Sequence, residues 1–289
     1  MSKEPLAQYP WSPKFLEIGG QRLAYLDEGE GEALVMVHGN PSWSYLYRRL
    51  VRQFSKKYRV IVPDHMGCGH SDKPQDYPYR LANHIDNLTK LLDHCQVQRC
   101  VLVVHDWGGA IGCGWAGRFP ERVKGLVVLN TAAFRSQRIP LRIRICRWPI
   151  IGPLLVRGLN AFAGAAIHMA VGGKMAPEVA RSFVAPYNSW RNRIATLRFV
   201  EDIPLKPTHP SYATLTAVEE GLENLTGKPM LICWGGRDFC FNDHFYAEWR
   251  RRFPAAERHY FPEAGHYVLE DAGEEIEPLM ADFCGQWLP

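Results

Sequence analysis

A chain of 289 residues is long enough for one large α/β domain with an insertion or for two small domains. Hydrophobic residues at 46% and charged residues at 22% suit a globular fold and exclude the disordered, collagenous and low-complexity classes. The net charge of +4 conceals an asymmetry: residues 134–210 hold 12 Lys and Arg against 3 Asp and Glu, so the rest of the chain is net acidic, and no nucleic-acid motif accompanies the basic stretch.

Residues 1–13 show no apolar h-region, so no secretory signal is expected and a cytoplasmic setting is. Short strands are expected at 15–18 and 22–26, with Gly19-Gly20 as the hairpin turn. Ala33-Leu34-Val35-Met36-Val37 is an unbroken apolar run, the mark of a strand covered on both faces, and it ends in His38-Gly39-Asn40-Pro41. A helix over 45–54, a strand over 58–62 and a helix over 81–92 follow. Val101-Leu102-Val103-Val104 is a second such run; it stops at His105-Asp106, and Trp107-Gly108-Gly109-Ala110 opens a helix to about residue 119. A strand over 123–129 comes next. Strands alternating with helix-length segments predict a mostly parallel, doubly wound α/β sheet, which binds ligands at the carboxyl ends of its strands.

The alternation breaks at Ala132. Prolines then punctuate short helix-like pieces as far as Pro210, which reads as a helical cap over 133–210 inserted into a core of 1–132 and 211–289. Within the cap a short amphipathic helix is expected over 141–148, with Leu141, Ile145 and Trp148 on its apolar side. The longest nearly uncharged apolar stretch of the chain, 158–171, is too short to span a bilayer. The sheet resumes at 229–234, before Gly235-Gly236-Arg237-Asp238. A helix over 244–253, a strand over 258–261 leading to Ala264-Gly265-His266, and a helix over 274–288 complete the chain. Eight scattered cysteines without a CxxC pair read as reduced packing residues, Cys240 near Asp238 included. With no metal constellation and no phosphate-binding glycine loop, no cofactor is expected.

Asp106, Asp238 and His266 each follow a separate strand, in the order nucleophile, acid, histidine. Singly they read as turn, cap or packing residues; together they form a catalytic order. A carboxylate with an ordinary pKa of about 3.9 is ionised at neutral pH, so it needs no base for a first attack, as a serine would. It can displace a leaving group from saturated carbon and form an alkyl ester. His266 can then activate water, with Asp238 orienting the imidazole. A departing anion needs donors that are not nucleophiles, and the Trp107 indole N–H and the Asn40 amide qualify. The bland alternatives are core packing for Trp107 and a turn before proline for Asn40.

His38-Gly39-Asn40-Pro41, His105-Asp106-Trp107-Gly108-Gly109, Asp238 and Ala264-Gly265-His266 resemble the α/β-hydrolase superfamily and, within it, the haloalkane dehalogenases, from Phe15 onward. The resemblance implies an α/β-hydrolase fold, catalytic Asp106, Asp238 and His266, and halide or leaving-group and oxyanion binding by Asn40 and Trp107. Asn130-Thr131-Ala132-Ala133-Phe134 carries no carboxylate, which excludes the subgroup with Glu there. The combination resembles the third dehalogenase subfamily. The run Asp238-Phe239-Cys240-Phe241-Asn242-Asp243 also resembles the olefin-forming β-lactone decarboxylases of the same branch.

The expected reaction is hydrolysis of a carbon–halogen bond through an Asp106 ester, releasing halide and alcohol from a small apolar substrate. The alternative is cis-β-lactone decarboxylation in long-chain olefin biosynthesis by the same triad. Epoxide hydrolysis would call on cap tyrosines, with Tyr187 and Tyr212 available, but Asn40 stands where that family has an apolar residue. A non-catalytic partner-binding protein of this fold would show a broken triad, and this one is complete. The basic apolar cap around 135–157 suits a homo-oligomer contact or membrane-surface association. Asp64, His65, Asp72, His38 and His105 are expected in structural hydrogen bonds.

Overall fold

The computed structural model describes residues 6–288; residues 1–5 of the stretch read for a signal lie outside the described residues. Eight strands, β1 (Lys14–Ile18), β2 (Gln21–Glu28), β3 (Ala33–Val37), β4 (Arg59–Pro63), β5 (Cys100–Asp106), β6 (Val123–Thr131), β7 (Met230–Gly235) and β8 (Glu257–Phe261), form one sheet in the order β1-β2-β4-β3-β5-β6-β7-β8. β2 runs antiparallel to β1 and β4, and every other pairing is parallel. The hairpin read at Gly19-Gly20 joins β1 to β2, and both glycines have positive φ.

Helices α1 (Arg48–Phe54), α2 (Leu81–His94) and α3 (Trp107–Arg118) alternate with these strands. Between β6 and β7 come α4 (Leu141–Ile145), α5 (Ile151–Pro153), α6 (Ala163–Met169), α7 (Pro177–Val184), α8 (Ile194–Glu201) and α9 (Tyr212–Gly221). α10 (Asp243–Arg252), α11 (Val268–Asp271) and α12 (Gly273–Trp287) follow. Residues 133–210 contain no strand. Among the described residues no helix is long and apolar enough to cross a membrane.

The unbroken apolar runs are explained by helices on both faces of the sheet. Val101 and Val103 of β5 pack with Leu50, Val51, Ile276 and Met280 of α1 and α12. Leu102 and Val104 pack with Ile85, Leu88, Ile111 and Val218 of α2, α3 and α9. Alternate side chains thus enter two cores, and each full burial contributes about 1.5–3 kcal/mol.

One cap element differs from expectation. The helix read over 141–148 is only Leu141–Ile145, and its sides are reversed. Leu141 and Trp148 are exposed, whereas Cys146 is buried with Val156, Leu197 and Val200, and Ile143 packs on that cluster. This segment is apolar on both sides, so a stripe at helical spacing does not say which side faces in.

Candidate active site

β3 and β5 are neighbours, with Val37 paired to Val104, while the chain between them leaves to form β4 on the other side of β3. Chain direction across the sheet reverses there, so a crevice opens at the carboxyl ends of these two strands. Asn40 and Asp106 stand at its edge.

Asp106 has φ +52° and ψ −126°, sparsely populated for a residue with a side chain and costing about 1–3 kcal/mol. The turn closes because its neighbours are bare. A Cβ on Gly39 would strike the Asp106 carboxylate, and one on Gly108 would strike the Val37 carbonyl. The Thr131 hydroxyl donates to the Asp106 carbonyl, holding the turn from β6. The Asn40 backbone N–H donates to Asp106 Oδ1 at 2.5 Å, and the Trp107 amide also donates to this carboxylate.

His266 Nε2 lies 3.6 Å from Asp106 Oδ2, close enough for charge attraction but long for a hydrogen bond. His266 Nδ1 is 2.8 Å from Asp238 Oδ2. Asp238 is held further by the Cys240 N–H (2.6 Å), the Phe241 N–H (3.0 Å) and Asn130 Nδ2 (3.1 Å). Asp106, Asp238 and His266 are all buried. Burial pushes the Asp106 carboxyl above its usual range, while His266 and the Asn40 and Trp107 amides pull it back. Burial would lower the His266 pKa, but the Asp238 and Asp106 carboxylates outweigh it and hold the imidazole above its ordinary value.

Asn130 was read only as the absence of a carboxylate; the structure gives it a part. His105 pairs with Leu129 and Asp106 with Thr131, so Asn130 is the extra residue of a bulge, at φ +33°. Its side chain donates to Asp238 and to the Gly235 carbonyl (3.0 Å) and accepts from the Gly235 N–H (2.7 Å). The available signal was an asparagine, tolerant of left-handed backbone, at a strand end.

Asn40 and Trp107 both line the cavity beside Asp106, but Asn40 is not a free donor. Its Nδ2 donates to the Thr196 carbonyl of α8 at 3.2 Å, leaving one N–H of the amide for a ligand. The cavity is about 260 Å³ and is lined mainly by apolar side chains, among them Leu81, Phe134, Ile143, Phe162, Val200 and Phe245. Neither Tyr187 nor Tyr212 lines it, and the buried Tyr187 hydroxyl donates to the Ser42 carbonyl, so the hydroxyls that epoxide opening would require are not at the nucleophile. All eight cysteines are unpaired, and Cys240, read as packing, also borders the cavity.

The remaining polar residues hold loops. Asp64 accepts from the Ser44 and His70 amides, and Asp72 pairs with Arg22. His38 accepts from the His65 N–H at Nε2, and His105 Nε2 donates to the His266 carbonyl (2.8 Å). Burial keeps His38, His65 and His105 below the ordinary histidine pKa, hence neutral. The cap is also tied to the histidine loop: the Tyr267 N–H donates to the Ala170 carbonyl at 2.6 Å, and Asp271 accepts from the Gly172 and Gly265 amides. No cluster of metal-ligating side chains occurs among the described residues.

A family model described as alpha/beta hydrolase fold matches residues 32–145. A cis-3-alkyl-4-alkyloxetan-2-one decarboxylase of Shewanella oneidensis is 49% identical, over 92% of this chain and 86% of its own. The chain belongs to the α/β-hydrolases. This α/β-hydrolase is also 44% identical to the protein of the same name from Xanthomonas campestris, over 95% of the chain and 96% of that protein. The crystal structure of a haloalkane dehalogenase from Bradyrhizobium elkani matches it with a TM-score of 0.86 at 26% identity, over 95% and 98% of the two chains. The chain is therefore an α/β-hydrolase enzyme similar to both groups.

Proposed function

We propose that this α/β-hydrolase decarboxylates cis-β-lactones bearing two alkyl substituents, the alternative rather than the main expectation from sequence. The observation that carries the reading is the 49% near-full-length identity to a decarboxylase of such lactones, against 26% to the dehalogenase. The apolar cavity beside Asp106 suits the alkyl groups.

The chemistry follows from the site. Asp106 attacks the ring carbon bearing the ring oxygen; its O–C bond forms as the ring C–O bond breaks, freeing a carboxylate on the neighbouring carbon. Trp107 Nε1 and the remaining Asn40 N–H receive that anion. The bond to the carboxylate carbon then breaks, its electron pair becomes the alkene π bond, and Asp106 leaves as a carboxylate. The products are carbon dioxide and alkene, with no water consumed and no net proton transfer. Inversion followed by anti departure turns a cis-lactone into a cis-alkene. His266, with its raised pKa, serves here as a positive neighbour to the departing Asp106 rather than as a base for water.

The test offers the protein a bromoalkane and a cis-dialkyl β-lactone in parallel, in ¹⁸O-labelled water. Rapid alkene formation with an unlabelled Asp106 peptide is expected from the lactone. Slow halide release with label entering Asp106 is expected from the bromoalkane. Fast halide release with no alkene would sink the reading. His266→Ala should stop halide release after one equivalent, with an adduct on Asp106, while lowering alkene formation far less. The pH profiles should part in the same sense. Hydrolysis falls once pH drops below the raised His266 pKa, whereas decarboxylation persists until Asp106, itself raised, takes a proton.

A further inference from the structure

The large apolar side chains left exposed by this fold concentrate in one part of the cap. Leu141, Trp148, Ile150, Leu154, Leu159 and Trp190 all face solvent, Ile150 by 76% and Leu159 by 75%. The segments that carry them adjoin one another. Gly152 packs on the Cys146 carbonyl, joining the 150–154 turn to the end of α4. The Leu159 N–H donates to the Leu154 carbonyl, and the Arg157 guanidinium lies 4.6 Å over the Trp190 ring. Ile150 is held at φ +68°, an unfavourable place for a β-branched residue, with its side chain turned out rather than in.

The charge on this face is net positive: Glu201, which faces Arg147 and Arg157 from α8, is itself paired with Arg198. Arg142, Arg144, Arg147 and Arg157 fall within 139–160, and no Asp or Glu occurs between Glu121 and Glu178. A second copy of the chain would set arginines against arginines, an unfavourable self-complement. An interface presenting anionic headgroups over an apolar interior matches both properties at once. The same layer of chain turns Ile139, Ile143, Cys146 and Phe162 inward to line the cavity.

We propose that this cap face docks on an anionic lipid bilayer, with Trp148, Ile150, Leu154 and Leu159 entering the headgroup–acyl boundary and Arg144 meeting lipid phosphates. An apolar substrate dissolved in the bilayer then meets the thin wall behind which Asp106 lies. That delivery rests on the lactone reading, whereas the docking itself does not.

The test is co-sedimentation of the full chain with phosphatidylglycerol or phosphatidylcholine vesicles. Binding to phosphatidylglycerol is expected, about tenfold weaker on phosphatidylcholine and likewise weakened by about 0.5 M sodium chloride. The triple variant Trp148→Ser, Ile150→Ser, Leu154→Ser should bind phosphatidylglycerol about tenfold more weakly, with its circular dichroism unchanged. Arg144→Gln should weaken binding to phosphatidylglycerol and leave phosphatidylcholine alone. The proposal is overturned if the wild-type chain does not sediment with phosphatidylglycerol vesicles, or if the triple variant binds as well as wild type. It is equally overturned if the triple substitution instead converts a dimer in solution to a monomer, which would give the face to a second copy. Vesicle binding with neither alkene nor halide production would leave the docking standing and remove the proposed reaction.

Discussion

The carboxyl edge of the sheet and the cap across the cavity from it are built on opposite plans. At the edge, polar groups are buried and tied down: Asp238 takes bonds from His266, Asn130, Cys240 and Phe241, and Asp106 rests on two backbone amides. In the cap, helices are short and apolar side chains stand on both sides of the chain. The contrast teaches that bond-making and substrate fit place different demands on a fold. The first requires reacting atoms held within a fraction of an ångström, whereas the second requires a surface that can vary in shape.

The comparison breaks most severely at the proposed nucleophile. Asp106→Ala should lower turnover of either substrate on the order of 10⁴-fold or more, read by alkene and halide release. The two plans should also separate in stability. Leu102→Ala, in a fully packed strand, should cost about 2–5 kcal/mol in urea unfolding. Ile143→Ala, beside an open cavity, should cost under about 1 kcal/mol while changing the preferred alkyl length. Trp107→Phe removes one donor to the freed anion and should slow turnover about 10²-fold without unfolding the protein. The mildest effect is expected at Asn130→Ala: about a tenfold fall in kcat with KM held, the worth of one hydrogen bond to a charged group. An unchanged kcat there would show that the edge tolerates looser positioning than its bonding suggests.

The two regions were also unequally legible in the sequence. Val101-Leu102-Val103-Val104 identifies a strand because both faces are covered, and the abrupt stop at Asp106 marks the turn. Asp238 could be read because it follows such a strand, and His266 because Ala264-Gly265-His266 follows a short edge strand. Asn130 was not legible as a contributor, because a bulge depends on pairing between β5 and β6 that no local pattern encodes. Thr196 was missed because it acts through its backbone carbonyl, which every residue has. Leu141 and Trp148 misled because helical spacing reports apolarity, and in the cap apolarity serves the cavity and the exterior alike.

The bond from Asn40 to the Thr196 carbonyl spans the two regions, since one residue belongs to the sheet edge by its backbone N–H and to α8 by its side-chain amide. Seating the cap therefore aims the donor. With α8 lifted, Asp106 would keep its backbone amides and, as the proposed nucleophile, stay competent, but Asn40, the proposed receiver of the expelled anion, would lose its anchor. On the proposed reaction, a substrate that props α8 away would be attacked at a centre unready to let the reaction run forward, so molecules too large for the chamber would be rejected by timing as well as by size.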